Sequence, residues 1–295
     1  MLALSLVCAW LVTPVSRVQD ASIVAPGASL QKLGGGYGFT EGSVEDKQGN
    51  VYFTDQPNDR IMKWNTDGSV IEWLKPAGRS NGMWFDHHGN LITCADNLNE
   101  LWSISPRKKV TVLFKDYQGK LMNGPNDVWV RPDGGMYITD PLYARPYWQR
   151  DPKPQLPGNW VFYLSRDLKT LTPVVTDLNT PNGIIGTPDG KTLYVADLGL
   201  NKTFRYHIGA DGSLSDKAEV CPMGSDGMTM DERGDIFCTN RGVTAFDPTG
   251  KRIFHVDVPE DWVGHCCFGG KDHKTLFITA SHGIYALQMS VRGAF

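Results

Sequence analysis

The chain has 295 residues, of which 41% are apolar and 21% charged, so it has the composition of a folded globular protein rather than a disordered one. Its net charge of −3, with no basic block, gives no electrostatic case for nucleic acid. The 32 Gly and 18 Pro imply frequent turning and leave few stretches long enough for extended helices.

Residues 2–12 (LALSLVCAWLV) form a short apolar run at the N-terminus. A membrane-spanning helix needs roughly 20 apolar residues, so stable membrane insertion is not expected. The run fits the hydrophobic region of a secretory leader, although no Lys or Arg precedes it and no clean A-x-A cleavage site follows. Residues 1–21 are accordingly expected to be a leader. The mature protein would be secreted or periplasmic, and cytoplasmic if the run is only a buried N-terminal segment. The six Cys show neither a C-x-x-C pair nor a zinc pattern, so no disulfide framework is expected.

From Glu41 onward one pattern recurs. EGSVEDKQGNVYFTD starts at Glu41, NGMWFDHHGNLITCAD at Asn81 and NDVWVRPDGGMYITD at Asn126. NGIIGTPDGKTLYVAD starts at Asn182, DGMTMDERGDIFCTN at Asp226 and the degenerate HCCFGGKDHKTLFITA at His265. Each copy opens on a polar residue, often followed by Gly. A short strand, a Gly-bearing turn and a second strand ending in Thr or Ala plus Asp or Asn come next, which is the signature of a β-hairpin. The openings lie 40, 45, 56, 44 and 39 residues apart. A period of about 40–45 residues made of strands is that of a propeller blade. The expected fold is all-β, a six-bladed β-propeller forming one domain over residues 22–295. Residues 22–33 are expected to supply the outer strand of the last blade. The wide interval contains residues 141–160 (PLYARPYWQRDPKPQLPGNW), whose five Pro exclude continuous strand or helix. This insert is expected to be a loop leaving the end of an inner strand and acting as a lid.

In such a ring the first residue of each inner strand lies near the central axis. Glu41, Asn81, Asn126, Asn182, Asp226 and His265 are therefore expected to meet there. Two carboxylates and up to three amides are a hard oxygen set suited to Ca²⁺ and unlike the Cys/His set of structural zinc. Asn and Asp also cap turns between strands, so the ring serves either a metal or a structural purpose. Other motifs are set aside. Residues 78–82 match G-x-S-x-G without the strand–turn–helix context of a nucleophile elbow. Residues 186–192 fall one residue short of a P-loop. Trp84 and Trp129 occupy matching repeat positions and read as packing.

Taken together these segments resemble the SMP-30/gluconolactonase/LRE-like family. The resemblance runs through Thr40-Glu41-Gly42, Asn123-Gly124-Pro125-Asn126-Asp127-Val128, Tyr137-Ile138-Thr139-Asp140-Pro141, Thr180-Pro181-Asn182-Gly183 and Asp226-Gly227-Met228. It implies a metal-dependent lactonase, with Glu41, Asn182 and Asp226 as metal ligands and Asn126 on the metal or the substrate. The implied cofactor is one divalent cation, Ca²⁺ first, with Zn²⁺, Mg²⁺ or Mn²⁺ as alternatives. The implied substrate is a sugar lactone, opened by water attack on a cation-polarised carbonyl with Asp226 as general base or, alternatively, as nucleophile. Some members carry Arg where this chain has Gly124, so Asn123, Lys120 or Tyr143 and its loop are the candidates for substrate contact. A related esterase or organophosphate hydrolase, or a non-catalytic binding propeller, are the competing readings. A propeller closes on itself, so a monomer is expected.

Overall fold

The recurring hairpin is the inner half of a four-stranded antiparallel sheet, and six such sheets make up the structure. The computed structural model describes residues 23–295; the expected leader therefore lies outside the described residues. The inner strands are Thr40–Glu45, Ser80–Phe85, Val128–Val130, Pro181–Gly186, Met228–Met230 and Val263–Gly269. Each inner strand packs beside the next, and the sixth packs beside the first, which closes the ring. Beyond the sheets, the described residues contain a short 3-10 turn at Gln56–Asn58 and a small hairpin of Asp116–Tyr117 with Lys120–Leu121.

The hairpin turns are built by their own side chains. The Asp46 carboxylate accepts the N–H groups of Gln48 and Asn50, each at 3.0 Å, and Gly49 takes φ +80°. Asp86 and Asp231 repeat the arrangement, with Gly89 and Gly234 at φ +78° and +84°. A short Asp side chain closes the turn and Gly supplies the left-handed residue it needs.

The apolar core lies between the blades. The second strands Val51–Asp55, Leu91–Ala95 and Met136–Asp140 are buried at every position, whereas the outer strand Val110–Phe114 is mostly exposed. Apolar clusters join neighbouring blades around the circle: Val44, Tyr52, Met83 and Leu91 link the first two, and Phe53, Trp64, Cys267 and Phe277 link the last to the first. A strand covered on both faces reads as a continuous apolar run, which is why Leu-Ile-Thr-Cys-Ala and Val-Tyr-Phe-Thr carry few charges. All five Cys among the described residues are buried free thiols, acting as small apolar groups.

Circular closure uses the N-terminal segment. Gln31–Gly35 pairs antiparallel with Gly283–Gln288, and Val24 bridges Met289. The strand starts later than the expected segment and runs two residues past it. The cause is a turn after Ala25, where Ala28 N–H bonds the Ala25 carbonyl and Gly27 takes φ +74°. The proline-rich insert follows the inner hairpin of its own blade. It leaves the second strand of the third blade, Met136–Asp140, and returns as the third, Trp160–Leu164. Because the second strand runs opposite to the first, its end lies at the mouth where the inner strands begin. The insert is thereby delivered to the ring of repeat-opening residues.

Candidate active site at the ring mouth

The residue after most ring positions is Gly, and the packing explains it. A Cβ on Gly42 would lie 2.1 Å from the Asn81 carbonyl oxygen, and one on Gly82 would lie 2.6 Å from that of Asn126. A Cβ on Gly183 would lie 2.8 Å from the Asp226 oxygen, and one on Gly227 would meet the His265 ring at 2.1 Å. Each missing side chain makes room for the next inner strand, through its backbone or, at Gly227, through the His265 ring. The inner strands converge tightly only because the repeat carries Gly there. Repeated Thr residues add cross-links: Thr139 donates its hydroxyl to the Asn182 carbonyl at 2.7 Å, and Thr239 donates to that of Gly264 at 3.0 Å.

Glu41, Asn182 and Asp226 meet at this mouth. Burial first, and then the Asp226 charge, raise the Glu41 carboxyl well above the ordinary carboxylate range, with Arg145 opposing. Burial also pushes Asp226 up to about 6, while hydrogen bonds from Trp262 and Asn182 pull it down. Trp262 Nε1 donates to Asp226 Oδ2 at 2.5 Å. Asn182 gives an amide N–H to the Tyr143 hydroxyl at 3.1 Å, and its Oδ1 is buried without a hydrogen-bond partner. Two carboxylates raised by burial, one of them also by its neighbour's charge, and an amide oxygen with nothing to bind form a site suited to a positive ion. Among the described residues no three His, Cys, Asp or Glu converge. The donor set is therefore carboxylate plus amide oxygen, which suits a hard divalent cation rather than a soft one.

His265, also a ring member, is committed elsewhere. It shares a hydrogen bond with Ser43 Oγ at 3.1 Å, and its Nε2 lies 3.6 Å from Asp127 Oδ2. Asp127 in turn accepts the N–H groups of Val128 and Ile184. Asn81 and Asn126 are buried, and the Asn126 backbone bonds Gly82 and Thr139 of the neighbouring strands. Asn123 is a wall residue. Its amide donates to the carbonyls of Asp140 and Gly158 at 3.1 and 2.9 Å, while its Oδ1 has no hydrogen-bond partner. Lys120 is exposed on the small hairpin. Ser80, in the G-x-S-x-G match, donates its hydroxyl to the Ala77 carbonyl at 2.6 Å, and residues 186–192 span a hairpin turn.

The insert covers this mouth. Tyr143 reaches the ring through Asn182. The Arg145 guanidinium stands 5.5 Å from the Tyr143 ring and feels the charges of Glu41 and Asp226. Asp96 anchors the loop: its carboxylate takes Arg145 Nε at 3.2 Å and the Tyr147 hydroxyl, and its backbone carbonyl takes Trp148 Nε1 at 2.9 Å. Arg150 donates to the carbonyls of Met122 and Asn123 at 2.8 and 3.0 Å. A Cβ on Gly124 would lie 3.3 Å from Trp148, so the insert fills the space beside that glycine. Sequence reasoning missed Trp262, which has no counterpart in the repeat, and it missed Asp96 and Arg145 as partners. Asp96 did carry a signal, as the repeat-closing acid of the second blade.

A cavity of about 860 Å³ opens at the opposite mouth. It is walled by hairpin turns and by Trp73, Trp84, Met230 and Phe295, and of the ring side chains it includes His265. Trp129 packs its ring against Gly186, and Trp84 meets Phe295 edge-on at 4.9 Å. Both tryptophans are packing residues, as their repeat position implied.

Comparisons with known proteins agree with the propeller fold. Residues 39–282 match the SMP-30/Gluconolactonase/LRE-like region. A gluconolactonase of Zymomonas mobilis is 29% identical over 285 residues, covering 86% of this chain and 80% of that protein. A solved gluconolactonase of Xanthomonas campestris superposes with a TM-score of 0.85 at 26% identity, covering 94% of this chain and 95% of that one. A calcium-binding regucalcin of Agrobacterium tumefaciens shares the fold, with a TM-score of 0.72 at 18% identity over 94% of this chain and 96% of that one. With a closed six-bladed ring, the ordered repeats and a match across most of its length, the chain belongs to the SMP-30/gluconolactonase/LRE-like family.

Proposed function

We propose that this protein hydrolyses sugar lactones at the ring mouth, with one divalent cation held by Glu41, Asn182, Asp226 and Asn126. The observation that carries the reading is the meeting of two buried carboxylates with the partnerless Asn182 Oδ1 beneath an aromatic lid. Ca²⁺ suits this oxygen set best. A cation bound there supplies Lewis acidity toward a carbonyl oxygen.

The protein's own groups do the rest. Asp226, fixed by Trp262, takes a proton from the attacking water. The water oxygen bonds to the lactone carbonyl carbon, the ring C–O bond breaks, and the ring oxygen leaves as a hydroxyl by taking the proton that Asp226 received. The product is the open hydroxy acid. Tyr143 and Asn123 face the sugar from the lid and its wall, and the lid limits water access during the reaction. Direct attack by Asp226 is the competing route; single-turnover hydrolysis in ¹⁸O water would then leave label in the Asp226 carboxyl.

The decisive experiment is a screen of metal-stripped protein with Ca²⁺, Zn²⁺, Mg²⁺ and Mn²⁺ against aldonolactones, with simple esters and organophosphates as controls. EDTA-sensitive lactone hydrolysis that collapses in Asp226→Asn is expected. No turnover with any ion would leave a binding propeller as the better reading. The apolar run at residues 2–12 supports export to the periplasm or cell exterior, and a shortened N-terminus on exported protein is the expected result. A monomer is expected by light scattering.

A further inference from the structure

The repeat supplies an internal control for one residue. The second strand of the first, third and fourth blades ends on an acid, Asp55, Asp140 and Asp197, and that of the second blade is followed at once by Asp96. Three of them do the same structural work. Asp55 accepts the N–H groups of Gly38 and Phe39, Asp140 those of Asn123 and Gly124, and Asp197 those of Asn179 and Thr180. Each cradles the backbone of the loop entering its own blade. Asp96 does not. Its buried carboxylate is given to side chains: Arg145 and Tyr147 from the insert, and Gln56 Nε2 at 3.4 Å from the first blade. The loop entering the second blade is held instead by Asp59, which accepts the N–H groups of Ala77 and Arg79. Arg79 in turn stacks on the Tyr147 ring at 4.2 Å.

A position that is structural elsewhere in the ring has thus been diverted to holding one arginine over the site. Only Nε of that arginine is engaged by Asp96, and among the described residues its two Nη groups take no hydrogen-bond acceptor. A guanidinium is a forked donor suited to carboxylates and oxyanions. The pairing with Asp96 also explains how a cation is tolerated here. Glu41 and Asp226 balance a divalent ion, and Asp96 balances Arg145, so the mouth stays near neutrality.

We propose that Arg145 is the residue that receives the negative charge of the reaction, at the lactone carbonyl oxygen as it becomes an oxyanion and at the carboxylate of the opened product. Asp96 is its positioning residue. The inference rests on the lactone-hydrolase reading and deepens it by assigning an anion subsite to the insert.

The test compares a charged with an uncharged ligand on calcium-loaded protein. Gluconate carries the product carboxylate; 1,5-anhydroglucitol keeps the sugar ring and lacks both carbonyl and charge. Binding of each is measured by calorimetry in wild type, Arg145→Gln, Arg145→Lys and Asp96→Asn. R145Q is expected to weaken gluconate at least tenfold and anhydroglucitol less than threefold. R145K, which keeps the charge without the fork, is expected to fall between wild type and R145Q for gluconate. D96N is expected to weaken gluconate as R145Q does, to a smaller degree. Equal losses for both ligands would mean that Arg145 only holds the lid, and unchanged gluconate binding would remove it from the site; either result overturns the proposal. Should R145Q fail to fold, R145K decides on the same criterion. Failure of the lactonase reading shows separately, as absence of turnover by the wild-type enzyme.

Discussion

Asp226 is a carboxylate that the fold keeps weakly acidic. Burial raises it to about 6, and burial with the Asp226 charge raises its neighbour Glu41 in the same direction. A raised carboxyl holds its proton to higher pH, and a bound cation favours the ionised form. Cation binding should therefore expel protons at pH 5–6 and expel fewer as the pH rises above 7, so apparent affinity climbs with pH over that span. Calorimetry in buffers of different ionisation enthalpy measures the released protons directly. Trp262→Phe deletes the 2.5 Å donor to Asp226. Without it the ionised form loses support, so the acid limb of the rate–pH profile should move upward. Asp226→Asn should lower kcat by about 10²–10⁴-fold with the fold unchanged, read as a steady-state rate beside a circular dichroism spectrum.

At the scale of the hairpin, the turn glycines do two different jobs, and substitution separates them. Gly89 needs only its left-handed backbone, since a Cβ there meets nothing within 4 Å. Gly89→Ala should cost about 1–2 kcal/mol, the strain of that conformation alone. Gly49 has a similar φ, but a Cβ would fall 2.0 Å from the Gly270 carbonyl oxygen, and the Gly270 N–H bonds the Gly49 carbonyl at 2.8 Å. Gly49→Ala must also push two blades apart, for a total of about 2–5 kcal/mol. Urea denaturation of the two variants ranks them; equal costs would mean that the contact between the first and sixth blades yields freely. The insert is a different kind of element. It owes its shape to Asp96, Asn123 and Asn159 rather than to a backbone ladder, with Leu142 N–H bonded to the Asn159 side chain at 3.1 Å. Loss of those anchors should therefore change substrate binding before it changes stability.

For the molecule as a whole, stability depends on closing the circle. Gln31–Gly35 completes the sixth sheet, and Ile23 is 1% exposed and Val24 8%. Deleting residues 23–35 removes both buried side chains, whose burial is worth about 1.5–3 kcal/mol each, and leaves the edge of Gly283–Gln288 unpaired. The unfolding midpoint should fall by about 10 °C or more, measured calorimetrically. A circular permutant that links residue 295 to residue 23 and reopens the chain at the exposed turn Asp67–Ser69 should keep most of the midpoint. The permutant retains every sheet, so a large drop in it would place the stability in chain continuity instead of closure.

Much of this architecture was readable before any coordinates. Period, turn chemistry and the alternation of apolar strands are local properties, and six copies in order left one economical fold. The ring residues were readable for the same reason, because equivalent repeat positions must become equivalent positions around an axis. Attachment and pairing were not. That Asp96 anchors the insert, that Trp262 fixes Asp226, and that His265 is committed to Asp127 and Ser43 depend on contacts between residues far apart in the chain, such as the 222 positions separating Ser43 from His265. Asp96 shows the boundary most clearly. Its sequence position is the same as that of Asp55, Asp140 and Asp197, yet its partners differ, because only in three dimensions does the third-blade insert reach back over the second blade and offer it an arginine.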